Sequence, residues 1–177
     1  MDSRRDRLLA IIRERSFGRG EFILASGKKA DHYFDGKMTT TTANGVGLIA
    51  ALFLDLIAGQ SIDAVGGPSI GADPIVGAML ALAFVHDRPL RGFMVRKEAK
   101  EYGKGKMVEG SLQKGDRVAI IEDVVTTGGS TLKVIEKVEA AGATVAQVLA
   151  MVDREEGSRE TLSRYPFQAL FRSSEFL

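Results

Sequence analysis

A chain of 177 residues with 45% hydrophobic and 27% charged residues and a net charge of +1 has the make-up of one globular domain. The balanced charge gives no reason to expect nucleic acid or a membrane surface as a partner, and the lack of cysteine excludes disulfides, thiolate catalysis and cysteine-held zinc. There is no apolar run of about 18 residues, and no apolar segment follows the basic start "MDSRRDRLLAIIRERS", so the expectation is a cytoplasmic protein with neither a membrane span nor a signal peptide.

Residues 3–15 predict an amphipathic helix capped by Ser3, with Leu8, Leu9, Ile11 and Ile12 as its apolar stripe. "FILASGKKADHYFDGKM" predicts two short strands around the polar turn "SGKKAD". "TTANGVGLIAALFLDLIAG" predicts a helix with Ile49, Leu52, Phe53, Leu56 and Ile57 on one face and Gly59 as its stop. A strand, "IDAVGG", then runs through the loop "GGPSIGADP" into a second apolar helix, "IVGAMLALAFVHD". After the strand "LRGFMVR" comes "KEAKEYGKGKMVEGS", which is charged, glycine-rich and without periodicity. "DRVAIIEDV" is an apolar run of strand length. "STLKVIEKVEAAGA" is a helix with Val134, Ile135 and Val138 inward and Gly142 as stop, and "TVAQVLAMVDR" is another strand. Strands alternate with helices from residue 43 to 153, the pattern of an α/β fold with a mainly parallel sheet. Val118 to Ile121 are apolar throughout, as in a strand covered on both faces.

In such sheets ligands sit beyond the carboxyl ends of the strands. Glu122 and Asp123 fall at one of these ends, followed by "VVTTGGST" leading into a helix. Helix-start N–H groups and hydroxyls make an anion site, and glycines allow a phosphate close to the backbone. The acidic pair suits sugar hydroxyls, or a metal ion carrying phosphate. The stretch therefore reads as a cradle for a sugar phosphate, against the plainer alternative of a capped helix beside two solvated acids. Three other patterns carry little. "GGPSIGADP" spaces Gly66 and Gly71 as a P-loop does, but Ala72-Asp73 replaces the Lys-Ser/Thr pair. "GVGLIA" matches a dinucleotide fingerprint but sits inside a helix pattern. His32 and His86 lack metal-ligand spacing.

"VAIIEDVVTTGGST" is similar to the signature of the type I phosphoribosyltransferases. With "FILASGKKADHYFDGK", "GGPSIGADPIVGAML", "RKEAKEYGKG" and "MVDREEG" in order, the chain resembles the orotate phosphoribosyltransferases from about residue 8 to residue 172. The acidic signature marks the superfamily, and "RKEAKEYG" with "DREEG" marks the orotate enzymes. The resemblance implies one domain over 1–177, with a small hood within 1–42 and a mobile lid at 97–110. It implies transfer of phosphoribose from phosphoribosyl pyrophosphate (PRPP) to orotate, giving orotidine monophosphate and pyrophosphate. The rivals are a phosphoribosyltransferase for another base and a silent nucleotide-sensing relative.

Residue by residue, the resemblance puts Glu122 and Asp123 on the ribose hydroxyls and wraps the 5-phosphate in Thr126, Thr127, Gly128, Gly129 and Ser130, reached through Val124 and Val125. It brings Arg96, Lys97, Lys100 and Tyr102 to the pyrophosphate, with the loop "GGPSIGADP" beside it. Lys100, Asp123 and Glu122 are the implied catalytic residues, and no nucleophilic side chain is needed. Thr126 and Arg154 hold orotate, with backbone from Tyr33 to Asp35 closing its pocket. Tyr102 and Lys104 stand where many members carry histidine and then an acid or small residue. Ala25 stands where some carry lysine, which implies either that Lys28 or Lys29 compensates or that the contact is dispensable. Mg²⁺ arrives on the pyrophosphate with no dedicated protein ligands, and the family acts as a homodimer whose lid reaches the partner's site.

Overall fold

A computed structural model describes residues 3–23, 29–98 and 106–176. Helix α1 (Ser3–Arg15) leads into an antiparallel pair, β1 (Phe17–Ile23) and β2 (Lys29–Phe34). A short α2 (Lys37–Thr40) and α3 (Ala43–Leu56) follow, then β3 (Ala64–Pro68), α4 (Asp73–Val85), β4 (Arg91–Val95) and β5 (Val108–Gly110). The rest is β6 (Arg117–Val125), α5 (Gly129–Ala140), β7 (Thr144–Asp153), the short α6 (Ser158–Thr161) and β8 (Phe167–Arg172). The main sheet has the order β5-β4-β3-β6-β7-β8 and is parallel except for β5 against β4. The expected mainly parallel α/β fold is therefore the one observed.

The apolar run of β6 divides between two cores, because successive side chains on a strand point to opposite faces. Ala119 and Ile121 join α1, α3 and α4 through Ile12, Ile49, Phe53, Ile75 and Met79. Val118 and Ile120 join Val134, Ile135 and Val138 of α5. Burial on both faces, at about 25 cal/mol per Å² of apolar surface, is what makes this strand and its neighbour β7 central. Thr42 caps α3, accepting from Gly45 N at 3.2 Å. In α1 only Leu8 and Ile12 of the expected stripe are fully buried; Leu9 and Ile11 pack at its rim.

Two strands escaped the sequence reading. Val108–Gly110, read there as part of the lid, pair with β4 as β5. Phe167–Arg172 form the edge strand β8 beside β7. Arg5 of α1 reaches this edge, donating to the Leu170 carbonyl from Nε (3.2 Å) and Nη2 (3.0 Å) and from Nη2 to Glu175 (2.6 Å).

Candidate active site

The carboxyl ends of β3, β4 and β6, the turn after β3, the first turn of α5 and the start of α2 enclose a cleft of about 670 Å³. It is lined by Lys37, residues 68–71, Arg96, Lys97, Glu98, residues 122–124 and Ser130. Close backbone approach shapes it. A Cβ on Gly67 would overlap the Ile121 carbonyl and lie 2.8 Å from the Ala72 Cβ, so β3 meets β6 only because residue 67 is glycine. A Cβ on Gly71 would press on the Asp123 carboxyl. The Ser69–Ile70 peptide in this turn is cis.

The alternation that divides the core also divides the acidic pair. Glu122 follows Val118 and Ile120 onto the α5 face, where it is 4% exposed and accepts from Thr131 Oγ1 at 2.7 Å. Asp123 follows Ala119 and Ile121 to the other face. There Oδ1 accepts from Val124 N at 2.9 Å and Oδ2 lies 3.9 Å from Lys37 Nζ. Burial pushes the Glu122 carboxyl up to about 8. The Thr131 hydroxyl opposes that shift and the neighbouring Asp123 charge adds to it. At neutral pH Glu122 thus holds its proton, and the two adjacent acids do not present two negative charges.

After β6 the chain turns through exposed Thr126 and Thr127 and buried Gly128 into α5. Gly128 has φ +83°, which glycine adopts without strain, and it stands at the N-cap of α5 ahead of Gly129 and Ser130. The first N–H groups of this helix face the turn, as an anion site requires. Val124 lines the cleft, but Val125 is 1% exposed in the α5 core and does not line it. The Val125 carbonyl accepts from Arg154 N at 2.8 Å, which sets Arg154 at the same sheet edge. The Arg154 side chain pairs with Glu156 (Nε to Oε1, 3.0 Å) and does not line this cleft.

Arg96 and Lys97 enter from the end of β4. Arg96 N donates to the Met107 carbonyl at 2.9 Å, and its Nε pairs with Glu109 at 3.2 Å. Lys137 of α5 donates to the carbonyls of Arg96 (2.9 Å) and Lys97 (3.4 Å), pinning the stem of the segment expected to be a lid. Lys100 and Tyr102 lie outside the described residues, as do Lys104, Ala25 and Lys28. Of Lys29, only the backbone in β2 is described. Among the described residues, no cluster of three or more His, Asp or Glu side chains is placed to hold a metal ion, and no helix is long and apolar enough to cross a membrane. Two contributors were not singled out from sequence: Lys37, and Thr131 as the partner of Glu122. The second was legible as a hydroxyl one turn into the helix; the first ends the segment "FILASGKKADHYFDGK" but has no role implied there.

Comparison with known proteins accords with this arrangement. Residues 40–168 match the family model of the phosphoribosyl transferase domain. The chain is 46% identical over 180 residues to the orotate phosphoribosyltransferase of Bradyrhizobium diazoefficiens, covering 98% of this chain and 96% of that one. Identity and coverage are the same for an orotate phosphoribosyltransferase of Rhodopseudomonas palustris. Among solved structures, the orotate phosphoribosyltransferase of Mycobacterium tuberculosis in complex with PRPP superposes with a TM-score of 0.82 at 30% identity, covering 98% of each chain.

Proposed function

This chain belongs to the orotate phosphoribosyltransferases, and from that membership we propose that it transfers the phosphoribosyl group of PRPP to orotate in pyrimidine biosynthesis. The products are orotidine 5′-monophosphate and pyrophosphate. The observation that carries the reading is the end of β6, where one strand delivers two acids to different environments and then turns through "TTGGS" into a helix N-terminus.

The reaction breaks the bond between the sugar C1 and the pyrophosphate oxygen, and the electron pair leaves with pyrophosphate. A ring nitrogen of orotate supplies the pair for the new bond, and the proton it carried is released to solvent. Positive charge develops on the sugar between these events, as at other glycosidic carbons. Asp123 opens into the cleft and supplies a negative group near the ribose hydroxyls. Glu122, protonated at neutral pH, can donate to a hydroxyl without adding repulsion against the phosphates. The α5 N-terminus with Thr126, Thr127, Gly128, Gly129 and Ser130 takes the 5-phosphate through N–H groups and the helix dipole. Arg96 and Lys97, joined by Lys100 and Tyr102 from the lid, answer the charge that grows on departing pyrophosphate. Thr126 and Arg154 hold orotate, the guanidinium matching its carboxylate through paired hydrogen bonds.

Mg²⁺ fits as an ion carried by the hard oxygens of pyrophosphate. Bound there, it would offset phosphate charge. A homodimer is supported by the outer face of α4, where Phe84 and Val85 are 84% and 68% exposed, more apolar surface than an isolated subunit favours. The polyanionic substrate, which does not cross a bilayer unaided, favours a cytoplasmic setting.

The test is a spectrophotometric assay of orotate loss with PRPP and Mg²⁺, run beside uracil, adenine and hypoxanthine. Consumption of orotate alone is expected; consumption of a purine alone overturns the reading.

A further inference from the structure

We propose that Lys37 is a substrate-contacting residue that binds the pyrophosphate of PRPP, a cation supplied from the start of α2 independently of the lid. The proposal rests on the function proposed above and deepens it. Lys37 ends the segment "FILASGKKADHYFDGK", which implies no role for it; the fold creates the role.

The backbone at this point is fixed. Gly36 packs so closely on the strand ends that a Cβ there would stand 3.1 Å from Val124 Cγ2, 3.2 Å from Asp123 Oδ2 and 3.2 Å from Met151 Cε. Asp35 Oδ1 accepts from Lys37 N at 3.0 Å and sets the first turn of α2. The side chain, by contrast, is only loosely held. It is 57% exposed, and Nζ lies 3.9 Å from Asp123 Oδ2, beyond hydrogen-bond length. An exposed pair at that distance contributes at most about 1 kcal/mol. A rooted backbone with a weakly engaged ammonium suits a group that waits for a more highly charged partner.

Its surroundings decide which part of the substrate that is. Asp123, beside Lys37, abuts Gly71 of the 68–71 turn, and that turn lines the cleft with Arg96 and Lys97. These are the residues assigned to pyrophosphate. The residues assigned to the base, Thr126 and Arg154, do not line this cleft. The charge balance points the same way. Beside the protonated Glu122, the cleft holds two further acids, Glu98 and Asp123, against three cations, Lys37, Arg96 and Lys97. Arg96 is already engaged with Glu109. A substrate bringing several negative charges into that setting requires Lys37 as well as Lys97.

The experiment compares Lys37→Met and Lys37→Arg with the native enzyme. Calorimetric titration with inorganic pyrophosphate needs no turnover, so it reads the proposal even if the assignment of orotate were wrong. Lys37→Met should raise the Kd for pyrophosphate and the KM for PRPP by about 10- to 150-fold, the weight of one charge-assisted hydrogen bond. The KM for orotate should stay within about twofold, and Lys37→Arg should recover most of the pyrophosphate affinity. An unchanged pyrophosphate Kd in Lys37→Met overturns the proposal. A fall in kcat alone would assign Lys37 to orienting Asp123, and a rise in the orotate KM alone would place it in the base pocket. Either result also overturns it. Because the side chain is solvated, both variants should melt close to the native protein.

Discussion

Glu122 is a buried acid whose proton is part of the folded state, and that has a signed consequence for stability. Its ordinary value is 4.5, and in the fold it rises to about 8, chiefly through burial. Between those values the folded chain keeps a proton that the unfolded chain has released. Stability therefore falls as pH rises through that window, by up to about 1.4 kcal/mol per pH unit. Glu122→Gln keeps an acceptor for Thr131 Oγ1 and has no proton to lose. Its melting temperature, relative to native, should climb from pH 5 to pH 8 by several degrees, at roughly 2–4 °C per kcal/mol for a chain of this size. Thermal melts across pH check this, and a pH-independent difference would mean that the carboxyl ionises as freely in the fold as out of it. Arg154 makes a different kind of prediction. Arg154→Ala removes the proposed partner of the orotate carboxylate, so kcat/KM for orotate should fall about 10- to 150-fold. The KM for PRPP should move far less. An equal loss on both substrates would make Arg154, already paired with Glu156, a structural residue.

At the scale of elements, the site depends on how closely β3 and β6 lie. Gly67 leaves no room for a methyl group against the Ile121 carbonyl, and a backbone carbonyl in a central strand cannot step aside. Gly67→Ala should therefore force the strands apart and cost more than about 3 kcal/mol. It would be read as a fall in the denaturation midpoint together with loss of PRPP binding; a variant that melts like native would show that the turn can shift. The same elements show which parts of the structure were legible beforehand. The segments α3, β6, α5 and β7 carry long, unambiguous patterns, and the inward positions Val134, Ile135 and Val138 were read correctly because a 3.6-residue period leaves little choice. β5 is three residues inside a charged stretch, too short for any period to show. β8 has one face half open, so Gln168 and Arg172 interrupt its apolar character. The pairing of Glu122 with Asp123 was visible, but their separation onto two faces was a consequence of strand alternation that the motif concealed. Lys37 was hidden for a further reason: α2 has four residues, and its place in the cleft comes from Gly36 packing against β6 and β7, a contact between segments far apart in the chain.

The molecule is built on one six-stranded sheet with a core on each face and its chemistry along one edge, beside the smaller β1-β2 pair, and its proposed active form is two such molecules. If the lid residue Lys100 serves the partner's site, a chain lacking Lys100 and a chain lacking Asp123 are defective in complementary ways. Mixing Lys100→Ala with Asp123→Asn subunits should then restore roughly a quarter of native activity, since half of the dimers become hybrids with one intact site each. No recovery after demonstrated subunit exchange would mean that each site is built from a single chain. Assembly through exposed apolar surface raises the question of what stops the sheet itself from recruiting neighbours. One border of the sheet, β5, is only three residues long. The other, β8, is six residues and would offer outward carbonyls to any passing extended chain. Arg5 occupies that position: its guanidinium takes the Leu170 carbonyl, leans on the Phe171 ring at 4.5 Å and holds Glu175. A side chain from the first helix thus occupies one carbonyl of the longer sheet edge, a group that an incoming extended chain would need for pairing.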